Sequence, residues 1–145
     1  MQFAGVNYLA ILIAAVAAWF AGAVWYMAFA KPWVTALGKT MEQFKAEQAD
    51  NVGKPAAMAP FILAFAASLL MAWVLAGVLG HLGPGQVTVR NGVITGLFCW
   101  SGFVFTTMLV NNSFAMRSPR LLVIDGGYWL AVLVMMGAII GAMGV

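Results

Sequence analysis

Asp125 stands near the start of an apolar run that continues to Val145, with Tyr128 and Trp129 three and four residues further on. On a helix that spacing puts a carboxylate, a phenol and an indole on one face. Such a set can accept a proton or a cation, or anchor the headgroup of a ligand. Asn111 and Asn112 come just before a short basic turn, with Thr107 one helical turn earlier, and Trp25 and Tyr26 close another apolar stretch. When these stretches span a membrane side by side, Tyr26, Asn111, Asn112, Tyr128 and Trp129 gather around Asp125 in one leaflet.

An aspartate at the centre of a membrane span costs about 2.5–3.5 kcal/mol on insertion scales, and less toward the interface. Asp125 is expected about 9 Å inside its helix at 1.5 Å per residue, so even the smaller cost needs an offset. The sequence offers the amides of Asn111 or Asn112, the Tyr128 hydroxyl, Arg117 or Arg120, and the positive end of the same helix. Two readings stand. In one, Asp125 is a ligand, proton or ion site open to the cytoplasm; in the other, it is a knot that fixes the last helical hairpin.

The elements that must position these residues follow from composition. Of 145 residues, 64% are hydrophobic and 8% charged, with a mean hydropathy of +0.97, against about 25% charged in a soluble domain. About 20 apolar residues span a hydrocarbon core of roughly 30 Å. The pattern predicts an all-α integral membrane protein with four transmembrane helices in an up-down bundle, at about 7–30, 60–80, 91–114 and 119–144. A single domain covers 1–145, with the loop 31–57 between the first two helices. The net charge of +3 comes from basic residues gathered in the turns rather than from a nucleic-acid surface. Lys31, Lys39, Lys45, Lys54, Arg117 and Arg120 fall on one side and Arg90 on the other. The positive-inside rule then makes loop 31–57 cytoplasmic and places both termini outside. Ala28-Phe29-Ala30 imitates a signal cleavage site, but the long apolar stretch and missing basic n-region predict an uncleaved span.

Turn and cap residues refine the ends. Pro32 biases Lys31 out of helix, and Asn7 offers a cap for the first helix. Thr40 with Gln43 can form a capping box, although residues 41–50 read slightly better as a solvated loop than as an interfacial helix. Pro60 fits the first turn of the second helix. Asn91 is the expected cap of the third helix, and Ser118, followed by Pro119, that of the fourth.

Helices in lipid associate through close backbone approach, and small residues recur at four-residue spacing throughout. The expected packing residues are Ala14, Ala18 and Gly22; Ser68 and Ala72; Gly92 and Gly96; Gly137 and Gly141. They predict tight packing, with leftover small faces favouring a homo-oligomer or a membrane-protein partner. No cofactor or metal is expected. Cys99 is a lone cysteine and His81 a lone histidine in a turn, and the ten methionines read as soft core filling. No nucleophile stands beside a base, so a non-enzymatic protein is expected. A lipid or small molecule is the candidate ligand.

The stretches "NYLAILIAAVAAWFAGAVWYMAFAKPW", "LGKT" and "RLLVIDGGYWLAVLVMMGAIIGAM" resemble the bacterial membrane proteins grouped as domain of unknown function 1761. The resemblance covers nearly the whole chain and implies a small four-helix protein of the bacterial inner membrane. It carries no site residues to these positions.

Overall fold

The helix ends follow from local chemistry. In the computed structural model, which describes residues 3–144, all regular structure among the described residues is helical. The elements are α1 (Tyr8–Ala28), α2 (Ala30–Ala36), α3 (Met41–Asn51), α4 (Pro55–Gly80), α5 (Val89–Cys99), a π-helical segment (Trp100–Phe105), α6 (Thr106–Phe114) and α7 (Pro119–Met143). Four spans are long and apolar enough to cross a membrane: α1, α4, the run Val89–Phe114, and α7. The expected single domain also includes residues 1, 2 and 145, which lie outside the described residues.

Asn7 caps α1 by accepting from the N–H groups of Leu9 and Ala10. The helix breaks at Phe29 (φ −102°, ψ 16°), earlier than the Lys31 break read from the sequence. The reason is steric: a proline ring clashes with the carbonyl four residues back, and for Pro32 that residue is Ala28. Helix resumes at once, leaving Lys31 and Pro32 in the first turn of α2, where a missing N–H costs nothing.

Residues 41–51 form a helix, not the solvated loop that was favoured. The Thr40–Gln43 capping box closes in both directions, Phe44 packs edge-on against Trp33 with ring centroids 5.9 Å apart, and Lys39 pairs with Glu47. Together these hold a short helix with a negligible buried face of its own. α4 begins at Pro55, so Pro60 lies inside the helix and not in its first turn. Pro55 itself takes the first helical position that suits proline. Thr88, not Asn91, caps α5 by accepting from the Asn91 N–H, while the Asn91 amide donates to the Gln86 carbonyl at 2.6 Å. Ser118 caps α7 by accepting from the Arg120 N–H.

α7 is the centre of the assembly. In its most apolar window 44% of residues are buried, against 28% in α1 and in α4 and 6% in the third span. α1 packs on α7 and on α4, and α5 packs on α7. The start of α1 lies beside the ends of two other spans: Ala4 N–H donates to the Gly80 carbonyl and the Asn7 amide to the Met143 carbonyl at 3.4 Å.

The small-residue stripes do their packing inside the chain. Ala14, Ala18, Ser68 and Ala72 are all buried on the adjoining helices α1 and α4. Gly92, Gly96, Gly137 and Gly141 form the α5–α7 crossing, where a Cβ on Gly92 or Gly137 would collide with the other's carbonyl oxygen. A Cβ on Gly96 would meet the Leu133 carbonyl, and one on Gly141 the Thr88 carbonyl. Few side chains intervene there. The small faces expected to be left over for oligomer contacts are therefore largely occupied.

This crossing generates a stability prediction. Gly137→Ala is expected to cost about 1–3 kcal/mol or more, as forced overpacking does, in reversible unfolding from dodecylmaltoside into SDS. Gly77→Ala, where an added Cβ meets nothing within 4 Å, is expected to change stability by about 0.5 kcal/mol or less, or to raise it.

Candidate functional site

Three consecutive residues of α7 receive one indole N–H each. Trp25 Nε1 donates to the Ile124 carbonyl at 3.1 Å, Trp33 Nε1 to Asp125 Oδ1 at 3.0 Å, and Trp100 Nε1 to the Gly126 carbonyl at 2.8 Å. Tyr26 adds its hydroxyl, donating to the same Asp125 Oδ1 at 2.8 Å. These donors come from α1, α2 and the π-helical segment, so residues 124–126 are where most of the fold meets. A carbonyl oxygen has two lone pairs and can serve an indole as well as its own helix.

Local sequence explains how each donor arrives. Tyr26 and Trp33 are seven residues apart, two turns along a helix, and the Phe29 break only modestly disturbs that alignment. The two rings meet at 5.5 Å in a T-shaped pair. The "GG" after Asp125 clears room for rings: a Cβ on Gly127 would lie 3.1 Å from Trp25 Cζ2. Gly22 does the same for Tyr128, whose hydroxyl would sit 2.9 Å from an added Cβ. In the π-helical segment, residues five apart overlie each other, and Trp100 and Phe105 stack at 5.1 Å. That wider turn lets Trp100 face α7 while α6 continues the span.

Of the expected site residues, the structure brings Tyr26 directly to Asp125. Tyr128 is buried and its hydroxyl points to the Ala18 carbonyl at 3.5 Å, too long to bind strongly; it makes no hydrogen bond to Asp125. Its ring lies between those of Tyr26, at 5.3 Å, and Trp129, at 4.8 Å. Trp129 is half-buried and joins the cluster by stacking alone.

Asn111 and Asn112 do not bond to Asp125. Asn111 is exposed, and the Asn112 carbonyl is taken up in ending α6, where it accepts from Arg117 N–H. This closure carries Met116 into the left-handed region at φ 50° and turns the chain before the amides can reach α7. Neither Arg117 nor Arg120 pairs with Asp125, the ion pair among the described residues being Lys39–Glu47.

Trp33 and Trp100 are the residues that sequence reasoning missed, since both read as interface or packing aromatics. The spacing from Tyr26 to Trp33 was the available signal for the first. Nothing local marked the second, because its role depends on the π-helical turn.

Asp125 thus carries two neutral donors on one oxygen. Its Oδ2 has no hydrogen-bond partner, yet no buried side-chain oxygen or nitrogen among the described residues lacks one. Oδ2 is therefore not fully buried. No group of three His, Cys, Asp or Glu side chains is close enough to hold a metal among the described residues.

Such a fold and site define a small multi-span membrane protein with an aromatic-walled carboxylate at one end of its packed helices. The chain belongs to the family described as protein of unknown function DUF1761, whose model matches residues 9–141. No curated protein and no solved structure matches it.

Removing either donor should loosen the α1–α7 junction. Tyr26→Phe and Trp33→Phe are each expected to cost about 1 kcal/mol in the same detergent unfolding assay. Because both bonds end on one oxygen, their double-mutant cycle should show a coupling of about 0.5 kcal/mol or more, whereas a cycle pairing Tyr26→Phe with the distant Gly77→Ala should be additive.

Proposed function

We propose that this protein is a non-enzymatic integral membrane protein of the bacterial inner membrane that works through helix association, as a homo-oligomer. In this reading the four spans run up and down with both termini outside, and loop 31–57 faces the cytoplasm. The observation that carries it is the bareness of the third span. Just 6% of its apolar window is buried, while Ser101, Gly102, Thr106, Thr107 and Asn111 are all exposed along it. The hydroxyls of Ser101, Thr106 and Thr107 bond back to their own helix, but the Asn111 amide makes no hydrogen bond among the described residues. Small and polar residues on an outer helix face favour a second helix over lipid tails. A second copy can present the same face in return, as a two-fold dimer requires.

A second reading gains support from the Oδ2 of Asp125, which is not fully buried: the carboxylate serves a ligand, proton or ion in addition to holding helices. Intramembrane carboxylates without a counter-charge are costly, and those that occur commonly mark ligand, proton or ion sites.

Native mass spectrometry from nanodiscs tests association. Wild type is expected as dimers or larger, and Gly102→Trp, which places a large ring on the outer face where a Cβ meets nothing within 4 Å, is expected to leave mainly folded monomer. Strictly monomeric wild type, together with an absence of crosslinked partners in native membranes, would sink the proposal. The topology is read separately: a C-terminal alkaline phosphatase fusion should be active and the matching green fluorescent protein fusion dark.

A further inference from the structure

Among the described residues, Asp125 makes no ion pair. Lys31 lies on α2 and Arg117 and Arg120 flank the start of α7, but none of them pairs with it. Its Oδ1 is saturated by neutral donors and its Oδ2 is not fully buried.

The surroundings select which cation such a carboxylate would take. Calcium takes six to eight oxygen ligands and magnesium a near-ideal octahedron, whereas this site offers one carboxylate and one phenol oxygen and no third acidic or imidazole donor. What it offers instead is π surface. Tyr26 stands against Trp33 and Tyr128, Tyr128 against Trp129, and Trp33 against Phe44 of α3. Tyr26, Trp33, Phe44 and Trp129 are all half-buried, and Tyr26 and Trp33 touch the carboxylate directly. Aromatic faces attract cations through their quadrupoles, and they favour large, weakly hydrated ones, above all alkylammonium groups.

We propose that Asp125 Oδ2, with the rings of Tyr26, Trp33 and Phe44 around it, binds an alkylammonium group. The proposal rests on the second reading above, in which Asp125 is a site as well as a tether. The group has two sources, the headgroup of an ethanolamine or choline lipid and a soluble amphiphilic amine, and the depth of Asp125, about 9 Å along its helix, suits either. α3 reaches the site's Trp33 through Phe44, and its Glu47 is paired with Lys39.

The probe is benzyltriethylammonium, titrated calorimetrically into full-length protein in phosphatidylglycerol nanodiscs. Asp125→Asn is the decisive variant, because its amide oxygen can still accept from Tyr26 and Trp33 while the charge is gone. Wild type should bind saturably, and Asp125→Asn at least tenfold more weakly, with both proteins equally helical by circular dichroism. Gly77→Ala, outside the site and with nothing within 4 Å of an added Cβ, should stay within about threefold of wild type. Discs with half their lipid replaced by phosphatidylethanolamine distinguish the sources. Weakened probe binding there identifies the lipid headgroup as occupant, and unchanged binding a soluble amine; both support the alkylammonium site. Absent binding, or equal binding by wild type and Asp125→Asn, overturns it. Proton uptake into dye-loaded liposomes separates that failure from failure of the broader reading. Uptake that depends on Asp125 without ammonium binding would overturn the ammonium assignment alone, and no dependence in either assay would overturn both.

Discussion

Residues 124–126 hold the fold together because donors with no other polar partner converge there. An indole N–H turned inward among packed helices is costly without an acceptor, and the backbone of a helix offers few that are not already used. By presenting two carbonyls and a carboxylate in succession, α7 draws in Trp25, Trp33 and Trp100 from three different elements. Each bond is worth little by itself. Their shared effect is geometric: α1, α2 and the third span are referred to the same short stretch of α7, so moving one of them disturbs the others.

The glycine crossing of α5 on α7 works by the opposite means. Gly92, Gly96, Gly137 and Gly141 remove side chains so that backbones touch, and the attraction is dispersion over a close contact. The two devices lie on the same helix but toward opposite ends: the polar convergence near its start and the glycine contact in its second half. The third span is thereby pinned along its length through one face, which leaves its other face open. The exposure of that span is a consequence of how it is held.

Much of this was legible in the sequence, because it depends on local rules. Hydropathy located the four spans, the four-residue glycine spacing gave the packing residues of the α5–α7 crossing, and Ser118-Pro119 marked the start of α7. Errors came where tertiary contacts decided. Thr40 and Gln43 announced a helix, yet the polar run after them has hardly any face to bury, and only Phe44 meeting Trp33 settles it. Pro55 and Pro60 compete for one role, and their local signals are alike. Asp125 stands out in the sequence and Tyr26 is expected beside it, but the groups that could offset its charge are all expected from the last hairpin. The turn closing α6 commits the Asn112 carbonyl and leaves Asn111 outside, so the partners come from α1 and α2, roughly a hundred residues earlier in the chain. The π-helical segment has no signature that separates "WSGFVF" from ordinary helix.

The choice of partners for Asp125 has a further consequence. An arginine in place of Trp33 would hold the carboxylate more strongly and would also cancel its charge, closing the site to anything cationic. Neutral donors orient the group and occupy one oxygen while leaving its charge uncompensated. Orientation and availability are thus separated: Tyr26 and Trp33 fix where Oδ1 sits, and Oδ2 is held at a defined position without being consumed. If fastening α1 to α7 were the sole requirement, a buried carboxylate would be an expensive acceptor, since the carbonyls of Ile124 and Gly126 already serve Trp25 and Trp100 without introducing a charge. The ionisable acceptor thus stands between two neutral ones, with its second oxygen unpartnered among the described residues.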